Sequence, residues 1–153
     1  MCIFVHNSQS IKSINFPSSL VEISNNAFDD CFALANVTFE VHYSLRIIGI
    51  RAFNTCSNLS VFIIPSTVTS IGEDAFTEID INMTLYYCGR RTFTGNIIGN
   101  SSNYKVIVPF GGPKRFGNLY TTYGESHCLM LEEKVTCRIP KQAYPFFRFI
   151  QVN

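Results

Sequence analysis

The segment LRIIGIRAFNTCSNLSVFIIP, residues 45–65, has a counterpart on each side of it. LVEISNNAFDDCFALANVTFE at 20–40 and VTSIGEDAFTEIDINMTLYYC at 68–88 match it without an internal gap on the pattern L-x-x-I-x-x-x-A-F-x-x-C-x-x-L-x-x-V-x-I-x. The Ala-Phe pair recurs at 27/28, 52/53 and 75/76, so the repeat is 25 and then 23 residues long. A fixed period of this size changes the meaning of each residue inside it, because every slot is defined by its equivalents in the neighbouring units.

The period extends in both directions. VHNSQSIKSINFP at 5–17 fits the last part of the unit, with Ile11, Ile14 and Phe16 in the slots of Leu59, Phe62 and Ile64. After Cys88 the pattern decays, yet Phe93 followed by YKVIVP at 104–109 reads as a shortened unit. Residues 1–109 are thus a repeat array: a partial repeat at 5–17, units at 20–44, 45–67 and 68–89, and a degenerate unit at 90–109. A two-residue insertion around His42 and Tyr43 lengthens the first full unit, and the third has Ile79 in the cysteine slot and Asn82 in the leucine slot. Residues 110–153 match nothing in the repeat and are read as a cap or extension.

Elementary physics explains the unit. V-x-I before a proline is a strand whose alternation sends Val37 and Phe39, Phe62 and Ile64, Leu85 and Tyr87, and Val106 and Val108 into one core, with proline tolerated only at its end. The stretch x-E-D-A-F-x-x-C starts on an acidic residue or Asn and carries apolar residues three apart, which predicts a short helical turn. A single unit cannot bury its apolar face, so neighbours must stack. The expected fold is an α/β solenoid with a stacked parallel β-sheet on one side and short helical turns elsewhere.

Residues 64–76, IPSTVTSIGEDAF, resemble the BspA-type leucine-rich repeats, whose units read approximately LPxSVTxIGxxAFxxCxxLxxVxIP. LYYCGRRTFTG followed by VIVP is similar to the segment that closes such arrays in protists, and the resemblance covers about two thirds of the chain. It implies a right-handed leucine-rich-repeat solenoid of the kind found on cell-surface or secreted proteins that bind host proteins, matrix or other microbes.

Bulk properties narrow the function classes. The 153 residues are enough for one domain, with 15% charged residues against a usual figure of about 25%, and 14% aromatic. The formal net charge is +1 and the basic residues are scattered, which argues against nucleic acid and anionic membrane surfaces. No run approaches the roughly 18 apolar residues of a membrane span, and MCIFVH is too short for a signal peptide's apolar region. Surface or secreted localisation therefore rests on the resemblance alone, with a cytoplasmic location left open.

The six cysteines, at 2, 31, 56, 88, 128 and 137, form no C-x-x-C pair and have no histidine at metal spacing, so no metal site or cofactor is expected. Cys31 and Cys56 share a slot that Ser8 and Ile79 fill in the flanking units. A nucleophile or ligand does not exchange with isoleucine, so these are buried packing thiols. His127, Cys128 and Cys137 with Glu132 and Glu133 are the one cluster with a catalytic inventory. Adjacent side chains on an extended segment point to opposite faces, which argues against His127 serving Cys128 as a base. The chain is read as non-enzymatic, with an enzyme in the C-terminal segment as the weaker alternative.

Asn-x-Ser/Thr acceptors occur at Asn36, Asn58, Asn82 and Asn100. The first three fall in or against strands, where a glycan would obstruct stacking or the sheet face; Asn100, in the polar loop GNSSN, is the favoured candidate if the chain is secreted.

The strand alternation also defines an outward stripe. Asn15, Thr38, Ile63, Tyr86 and Ile107 lie between the inward positions, flanked by Val61, Thr84 and Lys105. An apolar and aromatic stripe on a rigid sheet is where a protein partner, such as a host or matrix protein, would bind. The candidate protein-binding set is Thr38, Val61, Ile63, Thr84, Tyr86, Lys105 and Ile107. Two alternatives stand beside it. The last 44 residues could fold back over the stripe, or uncapped solenoid ends, with MCIFV and YPFFRFIQV as contact surfaces, could drive self-assembly.

Overall fold

The structure is a computed structural model that describes residues 8–79, 82–99 and 104–124, together with the backbone of Cys2–Ile3. The strands among the described residues are Cys2–Ile3 (β1), Ser13–Phe16 (β2), Glu22–Ile23 (β3), Asn36–Phe39 (β4), Ile47–Ile48 (β5), Val61–Ile64 (β6), Ser70–Ile71 (β7), Met83–Tyr87 (β8), Tyr104–Val108 (β9), Arg115–Phe116 (β10) and Leu119–Tyr123 (β11). Equivalent strands of successive units lie side by side and parallel, so the chain winds as a solenoid.

Successive coils meet along three lines, not all of them continuous. The first is the main sheet, β2 with β4 and then β6, β8, β9 and β11, where the V-x-I segments pair in register. The second is a narrow sheet of β1, β3, β5 and β7, which buries Ile23 and Ile48 and aligns Glu22, Ile47 and Ser70 on its outer side.

The third line corrects the expected helical turns, since no helix occurs among the described residues. Within the Ala-Phe segment, alternate N–H groups take different routes. Ala27, Asp29 and Cys31 donate to the carbonyls of Ser24, Asn26 and Phe28, three residues back. Asn26, Phe28 and Asp30 donate instead to Ile50, Ala52 and Asn54 of the next coil, at 2.8, 2.8 and 3.1 Å. An α-helix would send every N–H to the residue four back and leave none for a neighbour. Each segment is also bracketed by two left-handed residues: Asn26 and Asp30, Arg51 and Thr55, Asp74 and Glu78, with φ between 51° and 59°. Residues in that region interrupt a right-handed helix.

The core runs along the solenoid axis as columns of equivalent side chains. Phe28, Phe53 and Phe76 stack with centroids 5.2 and 5.4 Å apart and planes within 6°. Phe62 leans on two of them, 4.9 Å from Phe53 and 5.1 Å from Phe76. Beside this apolar column runs a buried polar one. Asn54 Nδ2 donates to Asp29 Oδ1 at 2.7 Å, and Thr77 Oγ1 donates to Asn54 Oδ1 at 2.5 Å. Because these groups satisfy one another, their burial leaves no stranded polar atom.

The main ladder is interrupted between β4 and β6, which do not pair. The insertion falls here: His42 has φ 62°, and Tyr43 turns inward with its ring edge-on to Phe39 at 6.3 Å. The core bridges the break through Phe39 and Phe62, 6.0 Å apart. In the third unit, Ile79 fills the cysteine slot, 1% exposed, and Met83 points inward at 1% while Asn82 faces solvent.

At the far end, residues 110–124 add to the array. β11 extends the main sheet parallel to β9, and β10 folds against β11 in an antiparallel hairpin closed by Gly117 and Asn118. Phe116 is fully buried against Tyr87 and Phe93, at 5.3 and 5.2 Å, so this side of the last repeat is covered.

Candidate functional site

The outward face of the main sheet is built by register. Val61, Thr84 and Lys105 form one row across β6, β8 and β9, and Ile63, Tyr86 and Ile107 form a parallel row two residues further along. Neighbouring strands lie about 4.8 Å apart, so each row is continuous. Val61 is 45% exposed and Lys105 is exposed, whereas Ile63, Thr84, Tyr86 and Ile107 are half-buried by their neighbours. The rows present side chains held by a rigid backbone, with apolar area at the centre and a lysine at one margin.

Thr38 is the exception in the predicted set. It is exposed on β4, across the interruption in the ladder, and its hydroxyl is 2.9 Å from Asn15 Oδ1 on β2. The stripe is therefore continuous over β6, β8 and β9 but does not run unbroken from Asn15. It gains members on the other side. Thr122 pairs with Ile107, and Tyr120, two residues earlier on the same strand, is 74% exposed with the Arg115 guanidinium 4.5 Å above its ring. Repeat matching passes over these residues because 110–124 carries no repeat. The signal is local: Gly117 and Asn118 form a two-residue turn between RF and the strand-forming run LYTTY. That segment widens the face by one strand, while residues 125–153, with His127, Cys128, Glu132, Glu133 and Cys137, lie outside the described residues. Asn100 lies outside them as well.

The other sequence candidates are placed inside the core. Cys31 and Cys56 are fully buried as thiols, and the Cys56 thiol donates to the Phe28 carbonyl at 3.1 Å. Desolvation by burial pushes both thiols above the ordinary value of 9.0. A buried neutral thiol is neither a nucleophile nor a ready metal ligand. Cys88 is disulfide-bonded. Among the described residues, no group of three or more His, Cys, Asp or Glu side chains is arranged to hold a metal ion. No helix among them is long and apolar enough to cross a membrane.

Raised thiol pKa values carry a stability consequence with a defined sign. The folded protein holds protons on Cys31 and Cys56 that the unfolded chain releases, so their contribution is complete below the unfolded thiol value and is lost as pH rises above it. Above pH 9.0, Cys56 alone should cost about 1.4 kcal/mol per pH unit. Urea denaturation at pH 8 and pH 10 should show the midpoint falling, and Cys56→Ala should flatten that fall while lowering stability at both values. An equal slope in wild type and variant would remove the thiol from the account.

A parallel solenoid with a column of stacked phenylalanines and an outward sheet face built in register defines a repeat scaffold. A family profile, BspA type leucine rich repeat region (6 copies), matches residues 3–105, and the chain belongs to that family. Its leucine-rich repeats make it a scaffold of the protein-interaction class. No curated protein and no solved structure matches the chain.

Proposed function

We propose that this chain is a non-enzymatic binding module that engages a partner protein through the outward face of β6, β8 and β9, and that it works at a cell surface or after secretion, in adhesion or in contact with a host or another microbe. The observation that carries this reading is the in-register pair of rows, Val61, Thr84 and Lys105 beside Ile63, Tyr86 and Ile107. Their opposite face is committed to the core, so the outer one can change at less cost to the fold than the inner one. Aromatic and aliphatic side chains on a preorganised surface lose little freedom on binding. The family supports a role in protein interaction.

The test is a triple variant, Ile63→Ser, Tyr86→Ser and Ile107→Ser. The immobilised wild-type chain would be screened against purified host surface and matrix proteins, and both proteins then titrated against each binder. Circular dichroism should be unchanged, while Tyr86 alone should account for about 2 kcal/mol, or roughly 30-fold in Kd. A correctly folded variant with undiminished affinity would place the binding surface elsewhere.

A further inference from the structure

The sequence favours Asn100 as the sole glycan acceptor and sets aside Asn36, Asn58 and Asn82 because they fall in or against strands. The structure changes the basis for that exclusion. All three are exposed, since the strand alternation turns Asn36 outward and Met83 takes the inward position beside Asn82. They differ in what their amides do. Asn36 opens β4, Asn82 immediately precedes β8, and neither amide makes a hydrogen bond among the described residues. Asn58 is committed: its Nδ2 donates to the Phe32 carbonyl of the preceding coil at 2.8 Å.

We infer that Asn36 and Asn82 are N-glycan acceptors and that Asn58 is not. This rests on the surface or secreted location proposed above. Both acceptors belong to threonine sequons, N-V-T at 36–38 and N-M-T at 82–84. The donor is an oligosaccharide linked through pyrophosphate to a membrane lipid. The amide Nδ2 attacks the sugar anomeric carbon, a C–N bond forms, the bond from that carbon to the pyrophosphate oxygen breaks, and the amide loses one proton to solvent while the lipid pyrophosphate leaves.

Transfer onto a nascent chain precedes coil closure, so the fold acts as the filter on which modified chains can close. A sugar on Asn36 or Asn82 projects into water from an atom with no structural duty. A sugar on Asn58 occupies the atom that ties one coil to the next beside Phe32, and opposes their stacking. Glycans at 36 and 82 would border the rows of Ile63, Tyr86 and Ile107: Asn36 stands on the far side of the β4 and β6 interruption, and Asn82 lies ahead of the first residue of β8.

The full chain would be expressed behind an exogenous secretion leader in a host that N-glycosylates, so that the native location is not at issue. The secreted protein would be deglycosylated with peptide N-glycosidase in heavy-oxygen water and its peptides mapped by mass. Labelled aspartate is expected at positions 36 and 82, with Asn58 unlabelled. Thr38→Ala and Thr84→Ala, which remove each sequon without altering its asparagine, should each lose one glycan mass, and so should Asn36→Gln and Asn82→Gln. Secreted, folded protein that is unmodified at 36 or 82, or labelled at 58, overturns the inference. Surface biotinylation of source cells tests the location separately, and its failure would leave the acceptor result standing.

Discussion

Replacing Phe53 with alanine should lower the unfolding free energy by about 4 kcal/mol, in the middle of the range for losing a buried aromatic ring. Phe53 is fully buried and is the middle member of the stack, with Phe28 at 5.2 Å on one side and Phe76 at 5.4 Å on the other. Phe62 closes a third side at 4.9 Å. The cost of such a deletion depends on how far the surroundings collapse into the space left. Here they are held apart by backbone. Phe28 N–H bonds to the Ala52 carbonyl and Phe53 N–H to the Ala75 carbonyl, both at 2.8 Å, so the coil spacing is fixed on either side of the missing ring. Each coil also has only its two neighbours for support, so a cavity in a middle coil cannot be filled from elsewhere. Phe53→Leu, which keeps most of the volume, should cost about 1 kcal/mol. Urea unfolding followed by circular dichroism measures both. A loss under about 1.5 kcal/mol for Phe53→Ala would mean that the stack does not hold the coils together.

Reading slots down the repeat recovers much of this fold. The inward set of the main sheet, the buried cysteine slot and the pairing of Ile63 with Tyr86 and Ile107 all follow from superposing the three full units and the degenerate one after them, because stacking converts equivalent positions into neighbours. The Ala-Phe segment shows the limit of the method. Apolar residues three apart suit a helical turn and a double turn equally, and left-handed residues make the choice. Asn26, Asp30 and Asp74 belong to types that tolerate that region, but Arg51, Thr55 and Glu78 do not advertise it. The backbone rungs to the next coil supply the compensation, and rungs are invisible in one unit read alone. The polar column escapes slot reading for a related reason. Asp29, Asn54 and Thr77 each look like ordinary surface residues along the chain, and only their vertical order shows an acceptor, an amide and a hydroxyl able to satisfy one another. The insertion at His42 and Tyr43 is legible as extra length, whereas the interruption of the sheet beside it is not, since length does not say which of three hydrogen-bonded lines will give way.

Gly72→Ala should destabilise the protein by about 3 kcal/mol, for a reason unrelated to glycine's conformational freedom. A Cβ at Gly72 would lie 2.4 Å from Ile50 N, 2.6 Å from the Gly49 carbonyl carbon and 2.7 Å from Ile50 Cα, all of them backbone atoms of the preceding coil. Gly49 repeats the arrangement one coil earlier, with Asn25 N at 2.5 Å and the Ser24 carbonyl carbon at 2.6 Å. Neither has a left-handed φ, so the penalty is contact and not torsion. The contact cannot be relieved locally, because Gly49 N–H and Gly72 N–H are bonded at 2.8 Å to Ile23 and Ile48, the carbonyls that set the coil spacing at these points. Relief requires moving one coil off the next, which also loosens the adjoining Ala-Phe rungs. Gly95→Ala separates the two kinds of penalty. Gly95 has φ 95° and a Cβ there would meet nothing within 4 Å, so its substitution carries torsional strain alone, about 1 kcal/mol. Gly49→Ala with Gly72→Ala should cost more than either, and because the two sites share the 49–50 backbone their effects should fail to add. Urea midpoints for the three single variants and the double variant decide the matter. If Gly72→Ala costs no more than Gly95→Ala, adjacent coils can part at this point without penalty, and the glycine of the I-G pair is not the spacer that lets one coil lie directly on the last.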